Sequence, residues 1–319
     1  MKVLITGGAG FIGSHLADHL LARGDSVIAL DNLSTGRYEN IEHLLGRRDF
    51  EFVLGSILNA DLLDDVVSRA DTVFHLAAAV GVDLIVKKPL ESLATNIRGS
   101  ELVFEKVHKH GARILVTSTS EIYGKNTSDR LGEEDDRILG SPLKSRWSYS
   151  EAKAIEEILA YTYWREKGIR SVIVRLFNTV GPRQTGSYGM VIPRFVGQAV
   201  RNEALSVHGD GRQTRCFCYV GDVVGALVAL VEHPEAYGRV FNIGGTEEVS
   251  MAELAERVIT IAGSESKVRL VPYEEAYEEG FEDMQRRVPD TTRARDLIGF
   301  EPTVGLEEII AMVVAEQRD

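Results

Sequence analysis

Cysteine is scarce in this chain of 319 residues, which contains only two. Cys216 and Cys218 lie one residue apart in the strand-like run TRCFCYV. They are expected on opposite sides of it, one thiol buried and the other less so, which argues against a disulfide or a metal centre. Basic charge is also short: 36 lysines and arginines face 48 aspartates and glutamates, a net charge of −12. This argues against a general nucleic-acid binder, because nothing would neutralise the phosphates. An anionic small ligand is not, since a few arginines in one pocket can reverse the local field. No apolar run approaches the ~20 residues of a membrane span. The opening MKVLITGGAG reads as a strand and a glycine turn rather than a secretory leader. Internal repeats and low-complexity tracts are missing too. A cytoplasmic protein without membrane or nucleic-acid partners is expected.

What is present describes an ordinary globular chain, 44% hydrophobic and 26% charged, long enough for one large domain or two unequal ones. Up to residue 176, apolar runs alternate with helical patterns. The runs are KVLIT, SVIALD, FEFVLG, DTVFHLA, ARILVTST and RSVIVRLF; FIGSHLADHLLARG and ESLATNIRGSELVFEKVHKHG carry apolar stripes that close on glycine. Continuous apolar strands fit a sheet covered on both faces, so the expected class is α/β, a Rossmann-type doubly wound parallel sheet. After residue 176 the rhythm loosens. Residues 177–319 are expected to build a smaller lobe with strands at LSVHG and KVRLVP, the chain returning to the sheet near VFNIG. The acidic PYEEAYEEGFEDM reads as a solvated segment.

The first strand runs into Gly7-x-x-Gly10-x-x-Gly13 ahead of an amphipathic helix. Glycines there permit the turn and let a pyrophosphate approach backbone N–H groups at the helix N-terminus. The second strand ends at Asp31, whose carboxylate can accept both adenosine ribose hydroxyls and would repel a 2′-phosphate. That favours NAD over NADP. Tyr149 and Lys153 share one helix face at i, i+4 spacing, where a nearby ammonium and a nicotinamide cation would favour the phenolate. By itself such a pair is common. Here TST ends the preceding strand, where a sheet of this type presents ligand-facing residues.

The Gly7–Gly13 spacing, DNLSTG (Asp31–Gly36), HLAA (His75–Ala78) and Ser148–Lys153 together resemble the extended short-chain dehydrogenase/reductase superfamily, in its nucleotide-sugar branch. This resemblance implies that residues 1–176 form the NAD-binding domain carrying the catalytic Tyr149 and Lys153. NAD would be held by Gly7, Gly10, Phe11, Ile12, Gly13, Asp31, Asn32, Ser34, Thr35, Gly36, Ser56, Ile57, Leu76, Ala77, Ala78 and Thr117, with Tyr149 and Lys153. Thr119 matches the hydroxyl that helps to hold the substrate oxygen. Asn178, Arg183, Val191, Leu205, Val207, Arg215 and Arg287 match positions on the substrate side, and ALSVHG resembles the segment lying along uracil, which implies a UDP-sugar. Arginine and amide donors suit a diphosphate on geometric grounds.

Within that branch, STSEIYGKNTSDRLGEEDD and SPLKSRWSYS look like UDP-glucuronate decarboxylases, including the Arg-Trp shortly before the tyrosine. Epimerases usually carry an uncharged residue at Glu121, and dehydratases an acid at Ser120. The implied reaction oxidises C4, loses the C6 carboxylate as CO2 and protonates C5, with Ser120 and Glu121 placing a water or proton donor. A loop carboxylate bonding a ring hydroxyl or a backbone amide is the plainer role for Glu121. Three features depart from the pattern: Ser56 stands where relatives often have aspartate, AAAVGVD looks epimerase-like, and so does GPRQTGSYGMVIPRF, in which Arg183 could retain the carboxylate. A 4-epimerase of a UDP-sugar is therefore the alternative. A non-catalytic dinucleotide sensor would need neither Tyr149 nor the arginines. The resemblance also implies a homodimer packing two helices from each subunit.

Overall fold

The computed structural model describes residues 1–79, 89–144, 147–186, 190–276 and 284–318. The end of AAAVGVD, Arg146, part of GSYG and the middle of the acidic run lie outside these.

Among the described residues one parallel sheet is built from β1 Lys2–Thr6, β2 Ser26–Asp31, β3 Phe50–Leu54, β4 Thr72–His75, β5 Arg113–Thr119, β6 Ser171–Leu176 and β11 Val240–Ile243. These seven strands lie in the order β11-β6-β5-β4-β1-β2-β3. The order reverses beside β1, so the C-terminal ends of β1 and β4 open a crevice, the usual ligand position in such sheets. The first six strands coincide with the six apolar runs. Their side chains are largely buried because helices cover both faces. On one face lie α1 Phe11–Ala22 and α7 Val220–Glu232; on the other lie α2 Ala60–Ser68, α4 Gly99–His110 and α5 Ser148–Lys167. A short helix, α3 Pro89–Leu93, enters α4 through a π turn at Ala94–Arg98.

The remaining strands make three small sheets among the described residues. β7 Thr179–Val180 pairs with β10 Cys218–Tyr219, and β8 Leu205–His208 with β13 Val268–Val271. β9 Thr214–Cys216 lies between β12 Glu248–Ser250 and β14 Arg286–Arg287. A second core joins α6 Val191–Val200, α8 Met251–Ile261 and α11 Leu306–Arg318, with Leu205 and Val207 inside it. Local chemistry sets the start of α8: the Ser250 hydroxyl accepts from the Glu253 N–H at 3.1 Å, an N-cap that satisfies one orphan donor of the first turn.

Both cysteines are buried and unpaired, unlike the expected buried and less buried pair. Residues i and i+2 of a strand share a face, so the spacing gives no reason for the two to differ. Burial pushes the Cys216 thiol up to about 12 and raises Cys218 as well. Among the described residues no helix is long and apolar enough to cross a membrane.

Candidate active site

One cleft runs from the glycine loop after β1, across the ends of β4 and β5, to the small sheets of the second core. At its first end Gly7 adopts φ +75°, and a Cβ there would stand 2.9 Å from the Ala77 nitrogen. A Cβ on Gly13 would come within 2.1 Å of the Gly7 carbonyl. The turn is thus packed too closely for side chains, and it carries the backbone into α1, whose N-cap is Gly10. Such a start offers N–H groups and the positive helix end to an anion.

Asp31 closes β2 beside this turn. Its carboxylate accepts from the Ala9 N–H at 3.0 Å and the Leu33 N–H at 2.8 Å. Burial raises its carboxyl, opposed by those backbone bonds. Gly36 passes so close that a Cβ would meet the carboxylate at 2.7 Å. Phe11, Ile12, Asn32, Ser34, Thr35, Ser56, Ile57, Leu76, Ala77, Ala78 and Thr117 line the same stretch. A close-packed glycine cradle with an acid at the second strand fits a dinucleotide carrying a free ribose diol.

At the middle of the cleft, β5 delivers Thr117, Ser118 and Thr119, and the following turn delivers Ser120 and Glu121. Thr119 Oγ1 caps that turn by accepting from the Glu121 N–H at 3.2 Å. Ser150 at the start of α5 donates to the Glu121 carbonyl at 3.0 Å, and Lys153 donates to the Thr117 carbonyl at 2.7 Å. These two bonds tie the helix bearing Tyr149 and Lys153 to the strand bearing Thr119. The Ser118 hydroxyl lines the cleft, buried and without a partner among the described residues.

Burial first, and then the Glu121 and Glu156 charges, raise the Tyr149 phenol. Lys153 is held 2.7 Å from Glu156, a buried carboxyl group one turn along α5, and burial raises that carboxyl. His75 of the HLAA run is not in the cleft. Its ring is wholly buried, near Thr6 Oγ1 at 2.7 Å and Ser100 Oγ at 2.9 Å, and burial pushes it down to about 3.

At the far end, β14 pairs with β9 so that Arg287 lies level with Arg215. Arg287 donates to Ser120 Oγ at 3.3 Å and to Asn178 Oδ1 at 3.5 Å, and sits 3.9 Å from the Glu121 carboxylate. Arg215 is anchored to the Thr214 carbonyl at 2.8 Å, and Asn178 to the Cys216 carbonyl at 2.9 Å. Val191 also lines this region.

Two expected substrate residues are placed otherwise. Leu205 and Val207 are fully buried in the second core, because alternation along β8 turns them inward and presents His208 to the cleft. Arg183, at φ +67°, pairs with Asp18 of α1 at 2.7 Å. It also lines the cleft, together with Arg215 and Arg287. The cleft also takes in Arg194, His208, Gln213, Met251 and Tyr273, which sequence reasoning missed. Arg194 and His208 lie 2.7 Å apart, and Gln213 donates to the His208 carbonyl at 2.7 Å. No local pattern joins residues brought together from one strand, three helices and a loop.

Residues 3–244 match the model of the NAD dependent epimerase/dehydratase family. A UDP-N-acetyl-alpha-D-glucosaminuronate decarboxylase of Bacillus cytotoxicus is 41% identical over 96% of this chain and 94% of its own. UDP-glucuronic acid decarboxylase 1 of Danio rerio is 36% identical over 96% of this chain and 70% of its own. Among solved structures, UDP-glucuronic acid 4-epimerase from Bacillus cereus, in complex with UDP-glucuronic acid and NAD, superposes with a TM-score of 0.89 at 29% identity, covering 100% of this chain and 99% of that one. With its glycine cradle, buried Asp31 and Tyr149–Lys153 helix on one parallel sheet, the chain belongs to the NAD-dependent epimerase/dehydratase family.

Proposed function

We propose that this protein is an NAD-dependent decarboxylase of UDP-glucuronate, giving UDP-xylose or its 4-keto precursor. The observation that carries the reading is the meeting of Thr119, Ser120 and Glu121 with Tyr149 and Arg287 in one cleft.

Bound NAD supplies the acceptor for the C4 hydride and the donor that later returns it. Tyr149, with Thr119 holding the same oxygen, takes the C4 hydroxyl proton and gives it back at the end. The C4 carbonyl makes the C6 carboxylate a β-keto acid. The C5–C6 bond then breaks, CO2 leaves, and its electron pair forms an enolate across C4 and C5. One proton must reach C5, and it comes from solvent through the donor that Ser120 and Glu121 position. Arg287, within reach of both and of Asn178, anchors that corner, and with Arg215 it provides charge for the diphosphate.

The wet and dry faces of α5 support an assembly as well. Ile155, Ile158 and Tyr161 are exposed along it and Leu90 is exposed on α3, which suits the homodimer expected from family resemblance. Two free buried thiols suit the reducing cytoplasm.

Mass spectrometry of the nucleotide sugar after incubation with UDP-glucuronate and NAD tests the reaction. A product lighter by carbon dioxide is expected. An unchanged mass with a new chromatographic peak would mean 4-epimerisation and overturn the role given to Glu121. The same assay with the 2-acetamido analogue decides which uronate is preferred.

A further inference from the structure

Gln184 lines the cleft but has no part in the reaction described above. Its side-chain Nε2 donates to the Thr179 carbonyl at 2.9 Å. A carbonyl only accepts, so this bond fixes which end of the amide is which. The other end, Oε1, is buried and has no hydrogen-bond partner among the described residues. A buried acceptor without a donor costs free energy unless a water or a ligand supplies one.

Both neighbours of that amide are held. Thr179 belongs to β7, where it pairs with Cys218 of β10. Arg183, the residue before Gln184, has a φ of +67°, a left-handed conformation that residues other than glycine rarely adopt. It is pinned from two sides: its N–H donates to Glu316 of α11 at 2.5 Å, and its guanidinium pairs with Asp18 of α1 at 2.7 Å. Strained backbone of this kind persists where surrounding contacts enforce it, and it clusters at ligand sites.

Position decides which ligand. Thr119, assigned to the C4 oxygen, lies level with Leu176 at the end of β6, and residues 176–180 line the cleft just beyond it. Hydride exchange with C4 requires the nicotinamide ring to lie against that same end of the sheet. Thr179, and with it Gln184, stands on this side of the cleft. The hydrogen-bond donor that a nicotinamide carries is its carboxamide N–H.

We propose that Gln184 is a cofactor-binding residue: its Oε1 accepts from the carboxamide N–H of the bound nicotinamide, and the clamped Arg183 positions it to do so. The proposal rests on the reading of Thr119 as the residue at the sugar oxygen. The bond fixes the rotation of the ring and hence the face turned toward C4.

3-Acetylpyridine adenine dinucleotide carries a methyl ketone in place of the carboxamide and so lacks the N–H donor. Titration calorimetry of the full chain, freed of bound nucleotide, compares it with NAD. The wild type should bind NAD about tenfold more tightly, the worth of one hydrogen bond to a buried acceptor. Gln184→Met keeps the side-chain length and removes the acceptor. It should lose about that factor for NAD and little for the analogue, so that the preference vanishes. A wild type that binds both alike would overturn the proposal, and that comparison needs no variant to fold. Equal losses for the two cofactors in Q184M would overturn it as well and make Gln184 a loop support only. Unaltered NAD binding with weaker UDP-glucuronate binding would give the acceptor to a sugar hydroxyl instead. If neither cofactor binds the wild type, the reading of the cleft fails, and this proposal with it.

Discussion

Arg175→Met should cost this protein about 3–5 kcal/mol, because it strands a buried carboxylate. Arg175 sits near the end of β6, and its guanidinium grips Glu157 of α5 through two bonds of 2.9 and 2.8 Å. A third bond of 3.0 Å reaches the Tyr123 hydroxyl and a fourth of 2.9 Å the Glu133 carbonyl. The arginine and glutamate side chains are 9% and 12% exposed, so water cannot replace what the substitution removes. At 2–4 °C per kcal/mol for a large domain, the loss appears as a fall in Tm of roughly 6–20 °C. The pair joins α5, the helix of Tyr149 and Lys153, to the sheet, so activity should fall with stability rather than before it. Thermal and urea unfolding of R175M, E157L and the double variant measure the coupling. The double variant should recover at least half of the loss, since a neutral apolar pair leaves no buried charge. A cost below about 1 kcal/mol for R175M, or additive single effects, would refute the account of this pair as a coupled, desolvated unit.

Asp31→Asn should weaken NAD binding by about 10- to 100-fold, the worth of charge-assisted bonds to a ribose diol, and narrow the preference over NADP; titration calorimetry with both cofactors decides it. For His75 the folded value, about 3, lies below the ordinary 6.5, so the unfolded chain binds the extra proton as pH falls. Stability from this residue is therefore complete above pH 6.5 and drains at about 1.4 kcal/mol per pH unit below it; His75→Asn should flatten that slope in urea titrations between pH 6.5 and 5, and an unchanged slope would count against the burial argument. Glu121→Gln should slow formation of the decarboxylated sugar by about 10²-fold or more, in the range for a lost proton-transfer group, while NADH formation changes far less. Equal losses in both steps would make Glu121 a binding residue only.

Much of this protein is written locally. The six strands up to Leu176, the glycine cradle with Asp31, and the Tyr149–Lys153 face follow from periodicities of two and 3.6 and from backbone space, all expressed within a few residues. Tertiary structure decided which distant groups meet. Pairing of two short strands sets Arg287 beside Arg215, and an ion pair joins Arg183 to Asp18 of α1. Burial on β8 takes Leu205 and Val207 out of the cleft and leaves His208 in it. Lys153 and Glu156 are three residues apart, yet their isolation from water depends on β4, β5 and α4 closing over them. Helix and strand periods are properties of the chain itself. Desolvation and long-range contact belong to the packed molecule, and they determine which charges act on the reacting groups.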